Sequence, residues 1–221
     1  MKAGIVPILA AALLLPPAGR AREDGEVERR FAWDRANLTL ARADRPAEFL
    51  AAAQDYNELA RAGVANGALF FNLGTALLLA GDAANAEAAL VRAERYLGST
   101  ADVRTNLRQA AAARQGHPDA SLPWTRMVFF WHYGLPGRTR LQLALSAWAL
   151  FWIGLLVRRL GRTRGGRVPA AGGALAGLGL VFALVFGCSA AVTCLQEWHD
   201  ARTWSERVFV AAEPPAPGRQ P

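Results

Sequence analysis

Apolar and polar positions sort this chain into four stretches. The first, Ala3 to Leu15, is an apolar run of about 13 residues behind Lys2. Pro16-Pro17 and then Gly19-Arg20-Ala21 follow it. A positive start, a short apolar run and a small-residue site read as a secretory signal over residues 1–21, cut after Ala21. An uncleaved anchor is the alternative, but the run is short for a span and ends in two prolines. In the second stretch, residues 22–120, apolar residues recur every three or four positions among Ala, Leu, Arg and Glu. That period predicts amphipathic helices. The third stretch, Leu141 to Val157, and the fourth, Val168 to Leu195, carry no charge. At a rise of about 1.5 Å per residue the third covers about 25 Å, enough to cross a bilayer core with interfacial flanks. The fourth is long enough to cross with a tilt. Both are read as transmembrane helices, because nothing else in the chain is large enough to bury two wholly apolar helices. The fold class expected is therefore all-α, a short helical domain followed by a two-helix transmembrane hairpin.

Within the helical stretch one window of 34 residues stands out, Gly67 to Thr100. Phe70, Leu73, Gly74, Leu77, Ala86, Leu90 and Ala93 fall at the offsets of a tetratricopeptide pattern, which the window resembles. Gly74 and Ala86 are small where two helices approach most closely, and Phe70, Leu77 and Leu90 fill the space around them. Gly81-Asp82 supplies a left-handed helix end and the next N-cap. Gly98 stands where the pattern has proline and can still end the helix. A shift of 34 residues back puts Ala52, Tyr56 and Leu59 on second-helix positions, while the helix before them, Phe31 to Ala43, matches poorly. A shift forward puts Leu107 on the leucine position, and residues 101–115 read as a solitary capping helix. In such repeats the first helix of each pair lines a concave groove. Asn72, Thr75 and Leu79 are the candidate groove contacts.

Between the helical domain and the first span lies an aromatic segment, residues 121–140. Trp124, Phe129, Phe130, Trp131 and Tyr133 suit the headgroup level of a membrane, and a short interfacial helix is expected. Packing of the segment against the soluble domain is the alternative. The second span carries small residues at i, i+4 spacing. Gly173 and Gly177 form one pair, and Gly179, Ala183, Gly187 and Ala191 form a second ridge. Such ridges let helix backbones approach, against the first span or against a partner's helix.

Charge changes the picture only after it is located. The chain carries 25 basic and 18 acidic residues, a net charge of +7 that invites nucleic acid as a partner. Residues 22–122, however, carry 12 arginines and 14 acids, while residues 123–195 carry eight arginines and no acid. The excess surrounds the apolar spans, so a membrane fits and nucleic acid does not. Five arginines lie in the ten-residue loop Arg158 to Arg167. Positive loops stay in the cytoplasm. The helical domain and the tail, residues 196–221, then lie outside, as the signal also implies. The absence of charge within either span argues against a conduction or proton path.

Candidate chemistry is sparse. His117, His132 and His199 are scattered without metal-ligand spacing, and no Walker A, GxSxG or GxGxxG motif occurs. Cys188 and Cys194, six apart on one helix, face different directions and cannot pair within it. No enzymatic activity, cofactor, metal or small-molecule substrate is expected.

The order of parts from Met1 to about Ala211 resembles the tetratricopeptide membrane proteins of bacterial aerotolerance (Bat) operons. The residues that carry the resemblance are the signal, FFNLGTALLLAGDAANAEAAL at 70–90, VRTNLRQA at 103–110, Pro123-Trp124 and the two-span hairpin. Such proteins often continue into a small SH3-like domain. Here RVFVAA, Arg207 to Ala212, looks like its first strand without the rest. The resemblance implies membrane-anchored von Willebrand-type domain proteins and a MoxR-type AAA ATPase as partners. The function expected is a non-enzymatic interaction scaffold of the bacterial cytoplasmic membrane, its repeat domain in the periplasm. A structural subunit of a transporter or envelope-assembly complex is the alternative.

Overall fold

The computed structural model describes residues 18–116, 123–162 and 168–210. The apolar run expected to be a signal, half of the loop Arg158 to Arg167 and the end of the tail lie outside the described residues. Among those described there are only helices and connections, with no strand. α1 (Ala18–Arg42) runs through Ala21, the expected cut, which would leave a helix from residue 22 onward.

α2 (Pro46–Arg61) starts on a proline, whose fixed φ suits the first helical position, and Arg45 before it is extended. α3 (Gly67–Ala80) starts where the Asn66 side chain accepts the Leu69 N–H at 2.8 Å. It ends at Gly81, with φ of 88°, and the Asp82 N–H returns to the Leu77 carbonyl at 2.9 Å. Asp82 then caps α4 (Ala83–Leu97), accepting the Asn85 N–H. Thr100 caps α5 (Ala101–Gln115) in the same way through Val103.

α1 to α5 pack in sequence, each on the next, around one core. Leu69, Phe70, Leu73 and Leu77 of α3 are buried against Ala86, Leu90 and Ala93 of α4. A methyl group placed on Gly74 would lie 2.6 Å from Leu90 Cγ, so the helices meet backbone to side chain there. Ala52, Tyr56 and Leu59 of α2 are buried at the places their 34-residue shift implies, and Leu107 is buried on α5. The degenerate α1 still contributes Ala36 to the core, with Ala32, Trp33 and Leu40 packed at its edge. This is a short helical repeat.

Two short helical turns follow, α6 (Thr125–Val128) and α7 (Phe130–Gly134). α8 (Gly137–Gly161) and α9 (Val168–Thr203) then form the hairpin. Both are long and apolar enough to cross a membrane. α9 does not stop at Leu195. It continues eight residues to Thr203, then makes a 3-10 turn, Trp204–Glu206, and returns to the repeat. RVFVAA forms no strand in its described part. Arg207 is extended and the chain from there to Val210 is irregular, with the Asn85 Nδ2 donating to the Val208 carbonyl and the Val210 N–H donating to Asp82, both at 2.9 Å.

The small-residue ridge of α9 is one position away from the expected pair. Gly172, Ala176 and Gly179 are buried against α8, where added methyl groups on Gly172 and Gly179 would meet the Arg158 and Phe151 amides at 2.5 and 2.6 Å. Gly154 answers from α8, 2.5 Å from the Ala176 amide by the same measure. Gly173 meets only the Arg158 side chain, while Gly177 and Gly187 have open space around them and Ala191 is exposed. Ala183 is half-buried. Period four fixes a stripe, but on a helix this rich in Gly and Ala it does not fix which stripe faces the neighbour.

Candidate interaction surface

The first helices of the repeat bring a polar row to one face. Tyr56 donates to Asn37 Oδ1 at 2.6 Å, and Asn72 Nδ2 donates to the same oxygen at 3.4 Å and to the Tyr56 hydroxyl at 3.3 Å. One turn along α3, Thr75 donates to the Phe71 carbonyl and accepts from Asn106 Nδ2, both at 2.9 Å. Of the three expected groove residues, Asn72 and Thr75 are thus half-buried and joined to neighbouring helices, and Leu79 is 49% exposed. Asn37 and Asn106 belong to the same row. The 34-residue interval from Asn72 to Asn106 is a sequence signal for the latter, whereas Asn37 lies 35 residues before Asn72. Burial raises the Tyr56 phenol above its usual range.

The opposite side of the repeat is committed to α9. Glu197 accepts from Arg92 Nε at 2.7 Å, from the Tyr96 hydroxyl at 2.7 Å and from Arg95 at 3.2 Å. Arg95 also pairs with Asp200 at 2.6 Å. The Arg92 guanidinium lies over the Phe70 ring, 4.1 Å from its centre. Trp204 is buried edge-on against Phe70 and donates from Nε1 to Asn57 Oδ1 at 3.0 Å. Burial first, then the Glu197 carboxylate, pushes the Tyr96 hydroxyl well up.

The aromatic segment joins the two parts. Arg126 pairs with buried Glu94 at 2.6 Å, and the Ser99 N–H donates to the Tyr133 carbonyl at 2.9 Å. Gly98, at φ of 75°, lets Gly134 approach: an added methyl would lie 2.6 Å from its carbonyl oxygen. Trp124, Met127 and Phe130 remain 68–82% exposed. The segment thus packs on the repeat, the alternative arrangement of the two, and leaves these side chains uncovered.

Arg140 lies in the first turn of α8, at the end of the hairpin nearest the repeat, and is 1% exposed. Its guanidinium donates to the Ser189 carbonyl at 3.1 Å, the Ser189 hydroxyl at 2.8 Å and the Thr193 hydroxyl at 2.7 Å. His132 Nδ1 lies 2.7 Å from the same guanidinium, which only donates, so Nδ1 accepts and the ring proton sits on Nε2. Burial and then Arg140 hold the His132 pKa below its usual value. This cluster was not legible as a site, because Arg140 reads as a flanking charge and Ser189 and Thr193 as small span residues.

Cys188 and Cys194 are both free and exposed. Among the described residues no group of three or more His, Cys, Asp or Glu is placed to hold a metal ion. The face of the repeat with Asn72 carries amides and hydroxyls joined to one another, with Leu79 exposed beside them. No protein-family model, curated protein or solved structure matches the chain.

Proposed function

We propose that this chain is a non-enzymatic protein-interaction scaffold anchored in the bacterial cytoplasmic membrane, with its repeat domain in the periplasm. The observation that supports this reading most is the division of labour between the two sides of the repeat. Glu197 and Asp200 hold α9 to α4 and Trp204, just past α9, bonds Asn57 of α2, while the face carrying Asn72, Thr75 and Leu79 is left half-exposed. α8 and α9 anchor it, with Arg158, Arg159 and Arg162 at the end away from the repeat. That end faces the cytoplasm in this reading.

The resemblance to Bat-operon proteins implies the partners, von Willebrand-type domain membrane proteins with a MoxR-type ATPase behind them. Affinity capture of the full chain from detergent-solubilised membranes tests this. Recovery of von Willebrand-domain membrane proteins, reduced by Leu79→Arg, is the expected result. Recovery of a permease alone would replace the scaffold reading with a transporter subunit. Reporter fusions at Gly116 and Gly165 test the orientation, and a periplasmic reporter active at Gly165 would reverse it.

A further inference from the structure

Beside the start of the hairpin, α5 and the aromatic segment enclose an open cavity of about 510 Å³. Arg104 and Arg108 line it from α5, one helical turn apart and both exposed. Trp124, Met127 and Phe130 line it from the aromatic segment and are the most exposed of that segment's apolar side chains, Val128 and Phe129 being exposed as well. Arg126 lines it too, but its charge is already matched by Glu94. Among the described residues no carboxylate lines the cavity. Arg104 spends one nitrogen on the Ser99 carbonyl at 3.1 Å. That bond holds the side chain over the place where the repeat meets Tyr133 and Gly134, three residues before α8 begins.

We propose that this cavity takes the phosphate headgroup of an anionic phospholipid from the leaflet on the repeat-domain side. The charge of the lining fits an anion and not a cation. The exposed aromatic and methionine side chains lie on the segment that leads into α8, whose own Leu141, Leu145, Trp148 and Trp152 are exposed, so in a bilayer both would meet the same leaflet. Guanidinium groups bind phosphate oxygens through paired N–H donors, and arginines at a membrane surface favour anionic lipid. An exposed indole such as that of Trp124 favours the headgroup level of a bilayer. The site is separate from the arginine loop, which lies at the far end of the hairpin. The inference rests on the reading that α8 and α9 cross a bilayer.

The test uses the full chain in nanodiscs of phosphatidylcholine doped with a phosphatidylglycerol that carries a photoactivatable group near the phosphate. Peptide mapping is expected to place adducts on residues 123–133. Arg104→Gln with Arg108→Gln should lower them about tenfold, while adducts on α9 peptides stay unchanged. Unchanged adducts on 123–133 in the double variant would overturn the proposal. So would equal labelling by a phosphatidylcholine probe, or loss of labelling to excess inorganic phosphate, which would make the site one for the free ion. Alkaline carbonate extraction separates this from failure of the bilayer reading. A chain that carbonate releases from membranes does not span them, whereas a retained chain without the adducts lacks only the lipid site.

Discussion

At the scale of single residues, two side chains carry the sharpest expectations. Gly74 has no room for a methyl group against Leu90 and the backbone beside it. Gly74→Ala should destabilise the repeat by about 1–3 kcal/mol, read by denaturation in detergent, where Gly177→Ala should be neutral. His132 is the second. Its folded-state pKa is below the ordinary value near 6.5, so the folded chain binds fewer protons there than the unfolded one. Its contribution is present in full above about pH 6.5 and is lost as pH falls through that value toward the folded pKa. Packing of α7 on the hairpin should loosen on acidification, seen as faster hydrogen exchange at Tyr133 and Ser99. His132→Gln, which keeps an acceptor but does not titrate, should flatten the dependence.

At the scale of elements, the repeat was the readable part. Gly74, Leu90 and Ala93 could be placed because helix propensity, capping residues and a 34-residue interval all point to one arrangement. The hairpin helices were readable as elements but not in their mutual rotation. In α9 every face carries Gly or Ala, and the buried frame is set by Gly154 and Ala147 on the other helix, which local pattern does not encode. Gly172→Leu should push α8 and α9 apart, whereas Gly177→Leu should be tolerated. Disulfide trapping between cysteines placed on facing positions of α8 and α9 distinguishes the two. α9 stays helical past Leu195, the expected end of the span, for another reason. Gln196 to Thr203 is polar and so reads as the end of a span, yet Arg92, Arg95 and Tyr96 hold it helical from about a hundred residues away in sequence.

At the scale of the whole molecule, the repeat and the hairpin are one assembly. Trp204 completes the core of the repeat, and its partner Asn57 is 147 residues earlier. No local signal announces such a contact. Trp204→Ala should cost about 3–5 kcal/mol and lower the thermal stability of the repeat itself, although the residue lies beyond the last apolar helix. Glu197→Gln leaves the Arg92 side chain, 6% exposed, without its carboxylate and should cost about 3 kcal/mol. In both variants limited proteolysis near Arg207 should speed up. The hairpin is therefore held at two points, through Gly98 and Tyr133 where α8 begins and through Glu197 and Trp204 where α9 ends. A rod clamped at one end is a lever. From Glu197 to Val168, α9 extends about 44 Å, so a tilt of about five degrees at the clamp carries the far end about 4 Å. In the proposed orientation, a partner that rocks the repeat would move Arg158, Arg159 and Arg162 at the other end of the hairpin, and spin labels beside them would record it.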